Sequence, residues 1–473
     1  MKKTKKLLLT LVSSALIATS VAPMASCGGG NAGNNSKVVA YDGSAVTVTF
    51  YHTMGEKLRG VLNQYIPEFN AMYPNITIEH QSYNDYPGLR NQISTMLTAG
   101  NSPSLAYCYP DHVALYNVGK AVVTLDDYIA STEVVTKNDG TTEQMGFTQK
   151  QIDEDFVEGY YEEGRAYGDG KMYTLPYSKS TEVLYYNKTY FEANNISVPT
   201  TWEEMKAVCK TIKDKEGSSV TPLGYDSEAN WFITMCEQYG LPYTSATQGE
   251  HFKFNTAEHR AFVEEFRDWY AKGYVTTEEI YGTYTSALFT AQNSFMTIGS
   301  SAGASYQCPD EQTREDGTTY YPFEVGIAMI PQVNPNKPKV ISQGPSLCMF
   351  KKSEQEQAAT WLFMKFLMTH IPLQADFSKA SGYAPVVDVS SDTVYTDFLN
   401  KADGNARLQA SCVKQCIKQE NALYVSPAFD GSSAARDEVG ALMQKCLVDG
   451  VNSAAIAGFF NDTIELLAAD YGY

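Results

Sequence analysis

Val46-Thr47-Val48-Thr49-Phe50-Tyr51-His52 opens the stretch that decides the fold, because Val46, Val48 and Phe50 alternate as one buried face of a strand. Leu58, Val61, Leu62, Tyr65, Ile66, Phe69 and Met72 then fall on one helical stripe. Ile76 and Ile78 make a second strand, and Leu89, Ile93, Met96 and Leu97 a second helix. Leu105 to Tyr109 form a third strand. Strand, helix, strand, helix, strand at this spacing predicts right-handed βαβ units on a mostly parallel sheet, and so an α/β fold.

Further along, Met172 to Tyr177 and Glu182 to Tyr186 read as extended and tyrosine-rich. Thr201 caps a helix from Trp202 to Lys213, with Glu204 three residues on completing a capping box. Helices are expected at 256–272, 354–370 and 433–447, strands near 294–298 and 324–330, and a polar surface loop from Cys308 to Tyr321.

Upstream, four lysines (Lys2, Lys3, Lys5, Lys6), an apolar run from Leu7 to Val21 and Met24-Ala25-Ser26-Cys27 have the order of a secretory leader. The run is short of the ~20 residues that cross a bilayer. Cysteine after two small residues resembles the lipobox of bacterial lipoproteins, with Met24 where leucine is usual. Residues 1–26 are therefore expected to be a cleaved signal peptide, Cys27 the lipidated N-terminus, and 27–43, rich in Gly and Asn, a flexible linker.

Loss of residues 1–26 removes four lysines and no acid, moving the net charge from -18 to -22. That surface repels phosphate backbones, so nucleic-acid binding is not expected, although a local donor cluster could still hold one small anion. About 445 mature residues exceed what one core serves, which predicts two lobes. Eight cysteines after Cys27 are scattered rather than clustered, so buried thiols are expected and a zinc site is not. The chain has six histidines and lacks both HExxH and a P-loop, so no metal, cofactor or ATP chemistry is expected of it.

The chain resembles the extracellular solute-binding proteins of ABC importers (family 1), in the group that serves sugars and glycerol 3-phosphate. The similarity is carried by Ser180-Thr181-Glu182-Val183-Leu184-Tyr185-Tyr186-Asn187-Lys188 followed by Val198-Pro199-Thr200-Thr201-Trp202-Glu203-Glu204. Phe50 to Met54, Gly240 to Tyr243, Phe295 to Ser301 and Gly382 to Pro385 support it. The resemblance implies a two-lobed type II periplasmic-binding-protein-like fold with the ligand in a cleft between lobes. The expected lobes are 44–179 plus 344–402 and 180–343 plus 403–473. It also implies a monomer, exported and tethered outside the membrane, that captures a sugar or polyol phosphate, delivers it to a membrane permease and catalyses nothing.

By the same resemblance, Tyr86, Ser180, Trp202, Ser301, Gly344, Tyr383 and Arg436 fall at ligand-contacting positions. Trp202 would stack on the ligand, or else pack at its helix start. Tyr383 would present a phenol, or be a plain turn residue. Ser180 and Ser301 would offer hydroxyls, and Gly344 a close backbone N–H, unless they are turn residues. Arg436 would fork onto an anion or bridge hydroxyls, unless it forms a helix-surface salt bridge. Where the glycerol-phosphate binders have Tyr-Glu after the third strand, this chain has Tyr109-Pro110-Asp111, which makes Asp111 a candidate hydroxyl acceptor.

A rival reading comes from Gly299-Ser300-Ser301-Ala302-Gly303, which fits the G-x-S-x-G elbow of an α/β serine hydrolase with Ser301 as nucleophile. Such an enzyme needs a later histidine, and His370 is the only one downstream.

Overall fold

A computed structural model describes residues 38–471, apart from 248 and 401–403. The expected leader, Cys27 and the first part of the linker lie outside the described residues. The linker ends earlier than its composition suggests. Tyr41 is buried edge-on against Tyr73, with ring centroids 6.3 Å apart, and its hydroxyl donates to Ser44 O. An aromatic side chain outweighs the surrounding Gly and Ser, and the chain is packed from Val38 onward.

Two sheets, each with its own apolar core, organise the rest. The first sheet runs in the order Ile76–Ser82, Val46–His52, Leu105–Cys108, Ser346–Met349, Leu175–Pro176. Its first three strands are parallel, as the βαβ reading requires; Ser346–Met349 runs antiparallel to them, and Leu175–Pro176 pairs antiparallel with it in turn. Leu105–Cys108 and Ser346–Met349 are buried along their whole length because helices cover both faces. Leu62, Tyr65 and Phe69 on helix Glu56–Met72, and Phe363 and Phe366 on helix Glu354–Thr369, supply the packing.

The second sheet centres on Ser180–Asn187, the tyrosine-rich strand. Met296–Ser300 pairs antiparallel along one edge, while Val340–Gln343 and Val325–Met329 pair along the other. Leu223–Tyr225 and Val275–Thr277 extend the sheet in parallel beyond Met296–Ser300. One face packs on helices Trp202–Glu216, Glu228–Tyr239, Ala257–Ala271, Ser432–Cys446 and Ser453–Tyr471. Leu408 and Cys412, on helix Leu408–Lys418, cover the other face beside Val183 and Tyr185. The expected loop from Cys308 to Tyr321 contains a two-residue hairpin, Gln312–Thr313 against Thr319–Tyr320.

The chain changes sheet three times; two of the passages, from Pro176 to Ser180 and from Gln343 to Ser346, lie side by side, and the third runs from Met349 to Leu423. Gly344 lies in the second passage with φ +88°, and a Cβ there would sit 2.4 Å from Ser178 O. Only glycine allows the two crossovers to lie against each other. Lys179 and Glu163, both buried, form an ion pair of 2.6 Å at this junction. Lys179 Nζ also donates to Ser346 Oγ and Gly344 O, and Glu163 Oε2 accepts from Ser342 Oγ.

All eight described cysteines are free thiols, seven of them buried and Cys308 half-buried. Among the described residues no helix is long and apolar enough to cross a membrane.

Candidate functional site

Where the crossovers bring the two sheets face to face, a cleft of about 580 Å³ opens, within the range of small-molecule sites. Tyr86, Tyr109 and Tyr383 line it from the side of the first sheet. Tyr86 starts helix Tyr86–Thr98, capped by Asp85, and its ring lies 4.5 Å from that of Tyr109. Burial drives the phenols of Tyr86 and Tyr383 well above their ordinary range and Tyr109 to about 12, with Arg436 opposing the rise at Tyr109. All three stay neutral hydroxyls, able both to donate and to accept.

The second-sheet wall contributes the polar chemistry. Ser180 and Glu182 stand on the central strand, with the Glu182 carboxylate accepting from Tyr225 OH at 2.6 Å and Asn230 Nδ2 at 2.8 Å. Burial lifts Glu182 to about 7 despite those bonds and the nearby Arg436. Arg436, on helix Ser432–Cys446, donates to Asn230 Oδ1. Asp226 is raised by burial and accepts from Thr285 N–H and Oγ–H; Gly299 leaves room for its carboxylate, which a Cβ would meet at 2.6 Å. Glu278 is pushed up to about 7 by burial and by the neighbouring acids Asp226, Glu228 and Glu279. At the rim, Tyr284 and Tyr306 leave 60% and 75% of their surface exposed.

A smaller chamber of about 70 Å³ lies behind Tyr109, Gln343 and Arg436, which line both spaces. Asp111 faces this chamber, together with Glu163, Tyr243 and Ser342. Asp111 Oδ2 and Tyr243 OH are buried there with no hydrogen-bond partner among the described residues.

The cleft thus gathers four of the sequence candidates, Tyr86, Ser180, Tyr383 and Arg436, with Asp111 in the adjoining chamber. Three candidates lie elsewhere. Trp202, 5% exposed, packs in the second core against Phe266 and Trp269, and its indole N–H donates to Gln238 at 2.8 Å. Its place at the first turn of a capped amphipathic helix puts the ring on the buried stripe, so it does not stack in the cleft. Ser301 is fully buried beneath the floor, its Oγ accepting from Thr181 N–H and Cys416 S–H, while Ser300 lines the cleft instead. These partners replace the imidazole that a serine nucleophile needs, and the hydrolase reading loses its centre. Gly344 serves the crossover, not the cleft wall.

Glu182, Asp226, Glu278, Tyr284, Tyr306, Gln307 and Gln343 line the site without having been singled out in the sequence. For Glu182 a signal existed, an acid set directly before the apolar run Val183 to Tyr186 and two residues after Ser180. The others come from separate loops with no common spacing.

Two α/β layers joined by paired crossovers, with a tyrosine- and carboxylate-lined cleft between them, define a two-lobed small-molecule-binding protein. The family model described as bacterial extracellular solute-binding protein matches residues 64–403. The chain belongs to that family. Its curated relatives include the sn-glycerol-3-phosphate-binding periplasmic protein of Shigella flexneri, 23% identical over 370 residues, 74% of this chain and 76% of that one. Among solved structures, UgpB of Mycobacterium tuberculosis with glycerophosphocholine aligns at a TM-score of 0.68 and 15% identity, covering 89% of this chain and 98% of that one. The GacH receptor of Streptomyces glaucescens, solved unliganded and with acarbose, aligns at 0.67 and 15%, covering 90% and 99%. At such identities the likeness is one of fold.

Proposed function

We propose that this protein is the lipid-anchored capture subunit of an ABC importer, holding a polyhydroxylated solute between its lobes and passing it unaltered to a permease. The observation that carries the reading is the cleft itself, with phenols from one sheet facing carboxylates, amides and Arg436 from the other. Stacking plates serve sugar C–H faces and fixed polar groups serve hydroxyls. On this reading the lobes comprise 44–179 plus 344–402 and 180–343 plus 403–473, a division supported by the change of sheet at Ser180 and Ser346. Tyr86, Ser180, Tyr383 and Arg436 contact the ligand, Asp111 borders it, and the protein acts as a monomer.

A ligand that bonds both lobes favours the closed form over the open one. The test is a thermal-shift screen of sugars, polyols and glycerol phosphodiesters on purified protein, followed by recovery of the bound solute. A stabilising solute returned chemically intact is the expected result; hydrolysis of it would sink the proposal. Anchoring is tested separately. Cys27→Ala is expected to release the protein from the membrane fraction into the soluble one, and retention in the membrane would remove Cys27 from the mechanism.

A further inference from the structure

We infer that the cleft takes an uncharged saccharide and rejects phosphorylated solutes. The inference rests on the solute-capture reading above and narrows it against the glycerol 3-phosphate binding for which the curated relatives are named.

Charge is the first argument. Glu182, Asp226 and Glu278 line the cleft, and among the described residues lining it Arg436 is the only cation. The recess that adjoins it, past Asp226, Glu278 and Arg436, adds Glu228, Glu279 and Asp437. The Arg436 guanidinium is already engaged: it donates to Asn230, which in turn donates to Glu182. A phosphate dianion would meet this one shared cation inside a ring of acidic side chains. Phosphate sites are built the other way, with several free donors and excess positive charge.

Hydrogen-bond polarity is the second argument, and it is independent of net charge. Gln307 is 2% exposed, lines the cleft, and its Oε1 has no hydrogen-bond partner among the described residues. Gln343 Oε1 is buried and unpartnered at the same wall. A buried carbonyl calls for a donor. Sugar hydroxyls donate; a fully ionised phosphate group does not, so a phosphorylated solute could serve these carbonyls only through its own hydroxyls.

The third argument is the aromatic surface. Tyr284 and Tyr306 hold mostly bare rings at the rim, across from Tyr86, Tyr109 and Tyr383. Pyranose rings present apolar faces to such plates, and a glycerol phosphate has none to offer.

The deciding experiment is calorimetric titration of the full-length protein with maltose, maltotriose, xylobiose and cellobiose, and with glycerol 3-phosphate and glucose 1-phosphate. At least one neutral saccharide is expected to bind at least 100-fold more tightly than either phosphate. Glu278→Gln is expected to narrow that ratio at least 5-fold, and Tyr306→Ala to weaken the neutral ligand at least 10-fold; both side chains are partly exposed, and a thermal melt checks that each variant folds. Tighter binding of a phosphate than of every neutral saccharide overturns the inference and leaves solute capture standing. Binding of neither class overturns both.

Discussion

Glu182 carries the sharpest consequence of burial at the scale of single residues. Its carboxyl is lifted from an ordinary 4.5 to about 7, mainly by desolvation, with Tyr225, Asn230 and Arg436 pulling it down and Asp226 pushing it up. Between those two values the unfolded chain gives up the proton while the native state keeps it, so stability falls as pH rises through that window. Glu182→Gln removes this titration. Urea unfolding at pH 5 and pH 8 is expected to show a smaller difference in midpoint for the variant than for the parent; an equal difference would mean that the group titrates normally. Trp202 makes the opposite case, a residue whose role is packing. Trp202→Ala is expected to cost about 3–5 kcal/mol of stability through cavity formation, with the affinity of the folded fraction unchanged. A fall in affinity without loss of stability would return Trp202 to the cleft.

Among the elements, helix Ser432–Cys446 joins the core to the cleft. Val439, Leu442, Met443 and Cys446 bury its inner stripe, and Arg436 reaches the cleft one turn away. Ser433 and Asp437 of the same helix receive Arg90 from helix Tyr86–Thr98, at 2.6 and 3.0 Å. That contact ties an element of the first sheet's layer to one of the second's. Asp437 is 55% exposed, so the pair adds little to folding stability, under ~1 kcal/mol. On the capture reading proposed above, its weight falls on the balance of open and closed forms instead. Arg90→Ala is expected to lower ligand affinity several-fold and to raise the radius of gyration of the ligand-bound protein in solution scattering, with the melting temperature of the free protein little changed. Unaltered affinity and scattering would make the pair incidental.

For the molecule as a whole, the junction of the crossovers is where buried charge weighs most on folding. Lys179 has no exposed surface, and Glu163 balances its charge. Glu163→Gln strands the ammonium in the interior, at an expected cost of about 3–5 kcal/mol. Denaturant unfolding of the two proteins checks this, and a loss under ~1 kcal/mol would show that Lys179 reaches water or sheds its proton.

The sequence alone determined the local elements and, from Val46 to Tyr109, their βαβ order. Alternation at Val46, Val48 and Phe50, the helical stripe from Leu58 to Met72 and the Thr201–Glu204 capping box are local patterns, and local patterns specify local structure. The resemblance named Tyr86, Ser180, Tyr383 and Arg436, which line the cleft, and of these Ser180 and Tyr383 stand in the motifs that carry it. What the sequence could not order was depth. Ser300 and Ser301 are neighbours, yet one lines the cleft and the other is bonded beneath it by Thr181 and Cys416. Glu278, Tyr284, Tyr306 and Gln307 come from segments without shared periodicity and meet at one wall only because Leu223–Tyr225 pairs with both Val275–Thr277 and Met296–Ser300 and so folds those segments together. Burial is a property of the whole packed chain, and so the tertiary structure decided which side chains face the cleft and which of the carboxyls there hold their protons near neutrality.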